Sequence, residues 1–190
     1  MARIDPVEEP PPLPPANNPT TRLPQVGAFE IRSPSPADHA AYCAFAARLE
    51  QNDLRLRFAG LVKLECDALR AQLLAIDHTQ TEALAAFAGG EMLAIAHLVR
   101  TAPATAEFAL IVRSDMKRRG LGRLLLARLV AHACGLGLRL LTAQILSENL
   151  PMLRLARDAG FRATGRSGFL VDMASDLRCG DGRLAATDAA

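Results

Sequence analysis

The strongest constraint on the fold is the segment over residues 107–126. In it an apolar run is followed by a short basic loop and then by a stretch with the hydrophobic periodicity of a helix. Such a strand–loop–helix unit points successive backbone N–H groups and the positive end of the helix dipole at one place. Gly120 and Gly122 allow the backbone to approach an anion closely. Four basic side chains surround the two glycines: Lys117, Arg118, Arg119 and Arg123. The segment therefore predicts a phosphate-binding loop within an α/β fold.

Two common phosphate-binding motifs do not fit this loop. The dinucleotide fingerprint G-x-G-x-x-G/A needs a small third residue, and Leu125 stands at that position. The motif G-x-x-x-x-G-K-[ST] is absent from the chain. A basic turn with two glycines is by itself also compatible with a solvated surface loop, so its function depends on the rest of the chain.

Composition divides the chain into one domain and two tails. Eight of the 12 prolines precede residue 25, which predicts a disordered N-terminal tail over residues 1–27. Small and polar residues predict a second flexible tail over residues 179–190. The domain between them, residues 28–178, is long enough to bury a hydrophobic core.

Hydrophobic periodicity and turn residues predict the order β-α-α-β-β-β-α-β-α-β-β. The first two helices are expected over about residues 36–49 and 64–76, and the helix after the glycine-containing loop over residues 120–134. This order predicts a mixed α/β fold with a single central sheet.

Charge and cysteine usage exclude several classes of protein. The net charge of +2 is too small for a dedicated nucleic-acid binder, and no run approaches the roughly 18 apolar residues of a membrane span. The four cysteines are scattered without metal-ligand spacing, so we expect reduced thiols, no metal and a cytoplasmic location. Only two of the 22 basic residues are lysines, and arginine is the better phosphate ligand.

Residues 117–122, called here the glycine loop, resemble the pyrophosphate loop [Q/R]-x-x-G-x-[G/A] of the GNAT (Gcn5-related) N-acetyltransferases. Lys117 stands where the motif has glutamine or arginine. It has the positive charge of arginine but lacks the planar guanidinium group that can form two parallel hydrogen bonds. Asn149 after a predicted strand, and the Gly-Phe pair at residues 160–161 after the next helix, resemble the second signature of that family.

The spacing supports the same resemblance, because the strand ending at Val112 lies ten positions before Gly122, as is usual in the family. The resemblance extends over about residues 29–175. Five shorter segments resemble the acetyltransferase domain of the Pat-type bacterial protein lysine acetyltransferases: residues 55–58, 76–78, 82–84, 106–115 and 152–157.

The resemblance implies a mixed central sheet with splayed strands flanked by helices, and acetyl-CoA as cosubstrate without a metal. It implies that Glu107 is the general base for the attacking amine. The backbone of Leu110, Ile111 and Val112 would contact the pantetheine arm, and an amide at or near Val112 would bind the thioester oxygen. The remaining implied ligands of acetyl-CoA are Lys117, Arg118, Arg119, Gly120, Leu121, Gly122, Arg123 and Asn149.

One position departs from many members of the family. A tyrosine four residues before the glycine of the Gly-Phe pair often protonates the leaving thiolate, and this chain has Ala156 there. The chain's single tyrosine is Tyr42. Ser147 or water is a possible proton donor instead, or the thiolate leaves without an acid.

Three functions therefore remain open. The first is transfer of an acetyl group to a protein lysine, the second is the same transfer to a small amine, and the third is a non-catalytic acyl-CoA-binding module. The resemblance favours the first function. We expect a bacterial, cytoplasmic protein that is a monomer or homodimer. We expect it to bind neither nucleic acid nor a membrane.

Overall fold

The computed structural model describes residues 21–58 and 76–177. Eight strands form one sheet in the order β1-β2-β3-β4-β5-β6-β8-β7. Their bounds are β1 Thr21–Leu23, β2 Gly27–Arg32, β3 Thr81–Ala88, β4 Glu91–Ala102, β5 Thr105–Val112, β6 Leu140–Leu146, β7 Arg162–Ser167 and β8 Leu170–Asp176. Four α-helices are described: α1 His39–Ala46, α2 Gln51–Phe58, α3 Leu121–Gly135 and α4 Leu150–Asp158.

Helices cover both faces of the sheet, and each face has its own apolar core. On one face, α3 and α4 bury Leu125, Leu129 and Leu153 against the sheet. On the other face, α1 and α2 bury Phe45 and Leu54. The predicted α/β fold with one mixed central sheet is therefore confirmed.

Strands β5 and β6 form the parallel pair of an otherwise antiparallel sheet. They are paired only where Thr105–Glu107 faces Leu140–Thr142. Beyond Glu107, β5 continues to Val112 beside β4 alone. The two strands separate there, as the resemblance implied, and the gap between them is the main opening in the sheet.

The N-terminal boundary differs from the one expected at residue 28. Thr21–Leu23 forms strand β1, which pairs with β2 through a tight turn. Periodicity could not show this strand, because it is three residues long and is held by backbone hydrogen bonds to its neighbour. Residues 1–20 and 178–190, which include most of both predicted tails, lie outside the described residues.

The helices between β2 and β3 also differ from expectation. The predicted helix over residues 36–49 is present as α1 after a short 3-10 turn, and it ends at Ala46. Helix α2 was not predicted, because most of its side chains are polar and only Asp53 and Leu54 are buried. The helix predicted over residues 64–76 lies outside the described residues except for Ile76.

The cysteine expectation is wrong for the two cysteines that the structure describes. Cys43 and Cys134 are both disulfide-bonded rather than reduced. Scattered cysteines within helical patterns could not reveal this, because pairing depends on how distant segments meet in space. Over residues 21–58 and 76–177, no helix is long and apolar enough to cross a membrane.

Candidate active site

A cavity of about 450 Å³ fills the gap between the separated strands. One wall is β5 from Glu107 to Val112, and the other is β6 from Ala143 to Ile145. Helices α2, α3 and α4 complete it. Most of the residues predicted to bind acetyl-CoA, together with the predicted base, line this one cavity: Glu107, Leu110, Ile111, Val112, Lys117, Arg118, Gly120, Leu121, Gly122, Arg123 and Asn149.

The exposed edge of β5 can hold an extended ligand. Each residue of a strand directs its N–H and C=O groups to one neighbouring strand or the other, and residues 108–112 have β4 on one side only. The groups directed toward β6 therefore open onto the cavity, where buried backbone groups need a partner. A chain-like molecule with amide groups can hydrogen-bond to them much as a strand would.

Backbone conformation at the glycine loop explains why glycine is needed at one position. Gly120 caps the N-terminus of α3 with a φ of 87°, in the left-handed region where a Cβ is strained. Arg118 also has a positive φ, of 58°. The left-handed backbone at these two residues directs the loop and the first turn of α3 toward the cavity. There the helix dipole favours an anion.

Gly122 is needed for close packing rather than for an unusual φ. A Cβ at this position would lie 3.4 Å from Leu155 Cδ2 and 3.6 Å from Val112 Cγ2. These are ordinary contact distances, so alanine fits, but a larger side chain would displace neighbours or fill the cavity. The glycine-or-alanine requirement of the motif is met in this packing.

Lys117 does not present a free ammonium group to the cavity. It forms an ion pair with the buried carboxylate of Asp53, whose second oxygen accepts a hydrogen bond of 2.5 Å from Ser114 Oγ.

Arg119 is the one predicted ligand that does not line the cavity. Its guanidinium donates to the carbonyl of Gln25 at 3.0 Å and so holds the β1–β2 turn against the glycine loop.

Glu107 lies at the end of the cavity where the strands begin to separate. It is the last residue of β5 that pairs with β6, opposite Thr142, and it pairs with Val99 of β4 on its other side. Its side chain is half-buried, and no hydrogen bond or ion pair to it occurs among the described residues. A carboxylate in this position can accept a proton from a molecule that enters the cavity.

Asn149 caps α4 and lines the cavity at the same time. Its Oδ1 accepts a hydrogen bond of 3.3 Å from the amide of Met152. This bond fixes the side chain and leaves its NH₂ group as the atom available to a ligand. The implied hydrogen bond from Asn149 to the pantetheine arm is compatible with that geometry.

The structure provides no tyrosine acid at the cavity. Ala156 is fully buried within α4, and Tyr42 is buried against the other face of the sheet, where burial raises its pKa. Ser147, the possible donor, is not among the residues that line the cavity. Within the described part of the chain, no cluster of acidic, histidine or cysteine side chains is arranged to hold a metal ion.

Two charged residues of the cavity wall, Asp53 and Arg57, were missed as site residues in the sequence. Both belong to α2. Arg57 lies in a segment that resembles the Pat-type enzymes, and that resemblance was the available signal. Neither position could be assigned to the site before α2 itself was known.

Comparison with known proteins identifies the class to which this fold and cavity belong. The model of the acetyltransferase (GNAT) family matches residues 48–161, more than half of the chain. The protein belongs to the GNAT family. It is an N-acetyltransferase that uses acetyl-CoA.

Solved structures share the fold. The GNAT domain of PAT from S. lividans has a TM-score of 0.76 at 24% identity, over 84% of this chain and 97% of that one. YncA, a putative acetyltransferase from Salmonella typhimurium with acetyl-CoA bound, has a TM-score of 0.61 at 24% identity, over 85% and 99%. Spermidine N-acetyltransferase from Vibrio cholerae, with CoA and spermine, has a TM-score of 0.65 at 15% identity, over 78% and 95%.

Proposed function

We propose that this enzyme transfers the acetyl group of acetyl-CoA directly to the side-chain amine of a protein lysine, with Glu107 as the general base. The observation that carries the proposal is the position of Glu107, at the point where β5 and β6 separate and the cavity begins. The resemblance of residues 55–58 and 106–115 to the Pat-type lysine acetyltransferases supports lysine as the acceptor.

The cavity explains how acetyl-CoA would be held. The pyrophosphate would lie at the glycine loop, where Gly120, Leu121, Gly122, Arg118 and Arg123 line the cavity. Their backbone amides and guanidinium groups would bind its charge. The pantetheine arm would extend along residues 110–112, with the amide of Asn149 on its other side.

The chemical step needs a neutral amine, because a lysine ammonium has a pKa of roughly 10.4 in water and no free lone pair. Glu107 accepts a proton from the amine, directly or through one water. The amine nitrogen attacks the thioester carbonyl, and an amide at or near Val112 stabilises the developing oxyanion. As the C–N bond forms and the C–S bond breaks, CoA leaves as a thiolate.

Protonation of that thiolate requires no side chain of this cavity. A thiol has a pKa of roughly 8.5, so the thiolate is a fair leaving group and can take its proton from water. This route is consistent with alanine at residue 156 and with a buried Tyr42. We therefore assign no general acid among the described residues.

The test is transfer of acetyl groups to two panels of acceptors, lysine-containing proteins and small amines, followed by mass spectrometry. Acetylated lysines with little reaction of the small amines would support the proposal. The opposite preference would favour a small-molecule acetyltransferase, for which the fold shared with spermidine N-acetyltransferase is the precedent. Binding of acetyl-CoA without transfer to either panel would leave only a binding module.

A further inference from the structure

Arg57 lines the same cavity as the candidate base. Helix α2 lies across β5 and β6, and its residues Asp53, Leu56 and Arg57 line the cavity. Glu107 lines the same cavity and is close enough for its charge to act on the Arg57 guanidinium. No hydrogen bond or ion pair joins these two side chains in the described structure. A cation and a carboxylate thus line one cavity without pairing directly.

The Arg57 side chain has an unsatisfied donor. Its Nε atom is closed off from solvent and has no hydrogen-bond partner among the described residues. Burial lowers the pKa of Arg57 to about 10, and the Glu107 carboxylate partly offsets that effect. The guanidinium therefore stays charged at neutral pH. Buried donors in native proteins are nearly always paired, so this side chain is short of acceptors. The terminal nitrogens of the same guanidinium also have no hydrogen-bond partner among the described residues, and because Arg57 lines the cavity they are the donors that a ligand can reach.

The nearest acidic residue on α2 cannot serve as that partner. Asp53 lies four residues before Arg57, the spacing at which a helix brings opposite charges together. Its two carboxylate oxygens are occupied by Ser114 and Lys117. The ring of Phe58, 4.7 Å from the guanidinium carbon, packs against Arg57 without accepting the Nε hydrogen. The donor is thus held in place with no acceptor of its own.

We propose that Arg57 binds an oxygen of the acceptor molecule, a peptide carbonyl or a carboxylate, while Glu107 receives its amine. The pair would then select an amine that belongs to a peptide or amino acid. A polyamine has only nitrogen groups, which are largely cationic at neutral pH, and a second ammonium beside Arg57 would be repelled. This inference rests on the proposed function and narrows its acceptor to one that carries an oxygen acceptor as well as an amine.

The test compares three acceptors with wild-type enzyme, Arg57→Gln and Arg57→Lys: a blocked lysine peptide, free lysine and n-butylamine, which has no oxygen. We expect Arg57→Gln to lower kcat/KM at least about tenfold more for one or both of the oxygen-bearing acceptors than for n-butylamine, mainly through KM. Arg57→Lys should restore part of the loss. Arg55→Gln is the matched control, because Arg55 lies on the same helix, outside the cavity, and pairs with Glu148.

Comparison of the peptide and free lysine shows which oxygen Arg57 binds. A loss confined to the peptide indicates a backbone carbonyl, and a loss confined to free lysine indicates a carboxylate. Equal losses for all three acceptors, with a raised KM for acetyl-CoA, would show that Arg57 serves the thioester and would overturn the inference.

Equilibrium binding keeps this test separate from that of the proposed function. Binding of the lysine peptide to CoA-loaded enzyme should weaken about tenfold in Arg57→Gln and stay unchanged in Arg55→Gln, whether or not transfer occurs. Full activity in Glu107→Gln would rule out Glu107 as the general base. If peptide binding still depended on Arg57 in the same experiments, the inference about Arg57 would nevertheless be supported. Equal peptide binding by wild type, Arg57→Gln and Arg57→Lys would overturn the inference.

Discussion

The buried carboxylate of Asp53 pairs with the ammonium group of Lys117 and so joins helix α2 to the glycine loop. The side chain of Asp53 is 4% exposed and that of Lys117 is 42% exposed, so the pair is buried at its acidic end only. Loss of Lys117 would therefore leave a buried charge, whereas loss of Asp53 would leave an ammonium group that water can reach.

This asymmetry predicts unequal losses of stability. Lys117→Met should lower the free energy of unfolding by about 2–3 kcal/mol, because Asp53 keeps only its bond from Ser114. Asp53→Asn should cost about 1 kcal/mol. The double variant should be more stable than Lys117→Met alone. Urea unfolding of the three variants and wild type checks this order, and equal costs for the two single variants would contradict it.

The role of Glu107 predicts a loss of rate without a loss of cosubstrate binding. Glu107→Gln should lower kcat for lysine acetylation by about 10²–10⁴-fold at neutral pH, since the isosteric amide cannot take a proton. The affinity for acetyl-CoA, measured by calorimetry, should not change. Asp158→Asn, at the exposed end of α4, is the control and should match wild type in both measurements. An unchanged kcat in Glu107→Gln would remove this residue as the base.

The two glycines of the loop should respond differently to alanine. Gly120→Ala places a Cβ at a φ of 87° and should destabilise the protein by about 1–2 kcal/mol, with weaker binding of acetyl-CoA. Gly122→Ala should be nearly neutral, because its Cβ would make contacts of 3.4 Å or longer. Gly122→Leu, by contrast, should prevent acetyl-CoA binding. Thermal unfolding and calorimetry with CoA test all three variants.

Glu82 links the sheet to α3 and should make stability depend on pH. Its buried carboxylate lies 3.2 Å from His78 Nδ1 and 3.4 Å from His132 Nε2. Burial by itself would raise the pKa of Glu82, but the hydrogen bonds from His132 and His78 outweigh it and hold that pKa below its ordinary value. These contacts therefore contribute stability while Glu82 is ionised.

A lowered folded-state pKa means that this stability is present above the unfolded pKa and is lost as pH falls through the folded value. Wild type should exceed Glu82→Gln by about 1–2 kcal/mol at pH 6, and the difference should shrink below about pH 4.5. Unfolding in urea at a series of pH values measures it. A difference that stayed constant down to about pH 3 would show that Glu82 contributes by packing rather than by charge.

Much of the fold, and most of the residues that line the cavity between β5 and β6 near the glycine loop, could be predicted because the signals are local. Strand β5, the glycine loop and α3 follow one another in the chain, so their periodicity, charge and glycine spacing appear in a single segment. The α2 helix carries no comparable signal, since its buried face consists of only Asp53 and Leu54. The β1 strand is likewise too short to be recognised without its partner.

By itself, the sequence determined the α/β class and the order of the elements from β3 onward, and it predicted the glycine loop as a phosphate site, because each depends on residues close together in the chain. Only the tertiary structure decided how far β5 and β6 stay paired, and hence that Glu107 lies where the cavity opens. It also decided that Lys117 is bound to Asp53 and that Arg119 holds the Gln25 turn. In the same way it left the Nε of Arg57 without a hydrogen-bond partner among the described residues. These are contacts between distant segments, and their energies depend on burial and distance, which no local pattern of residues contains.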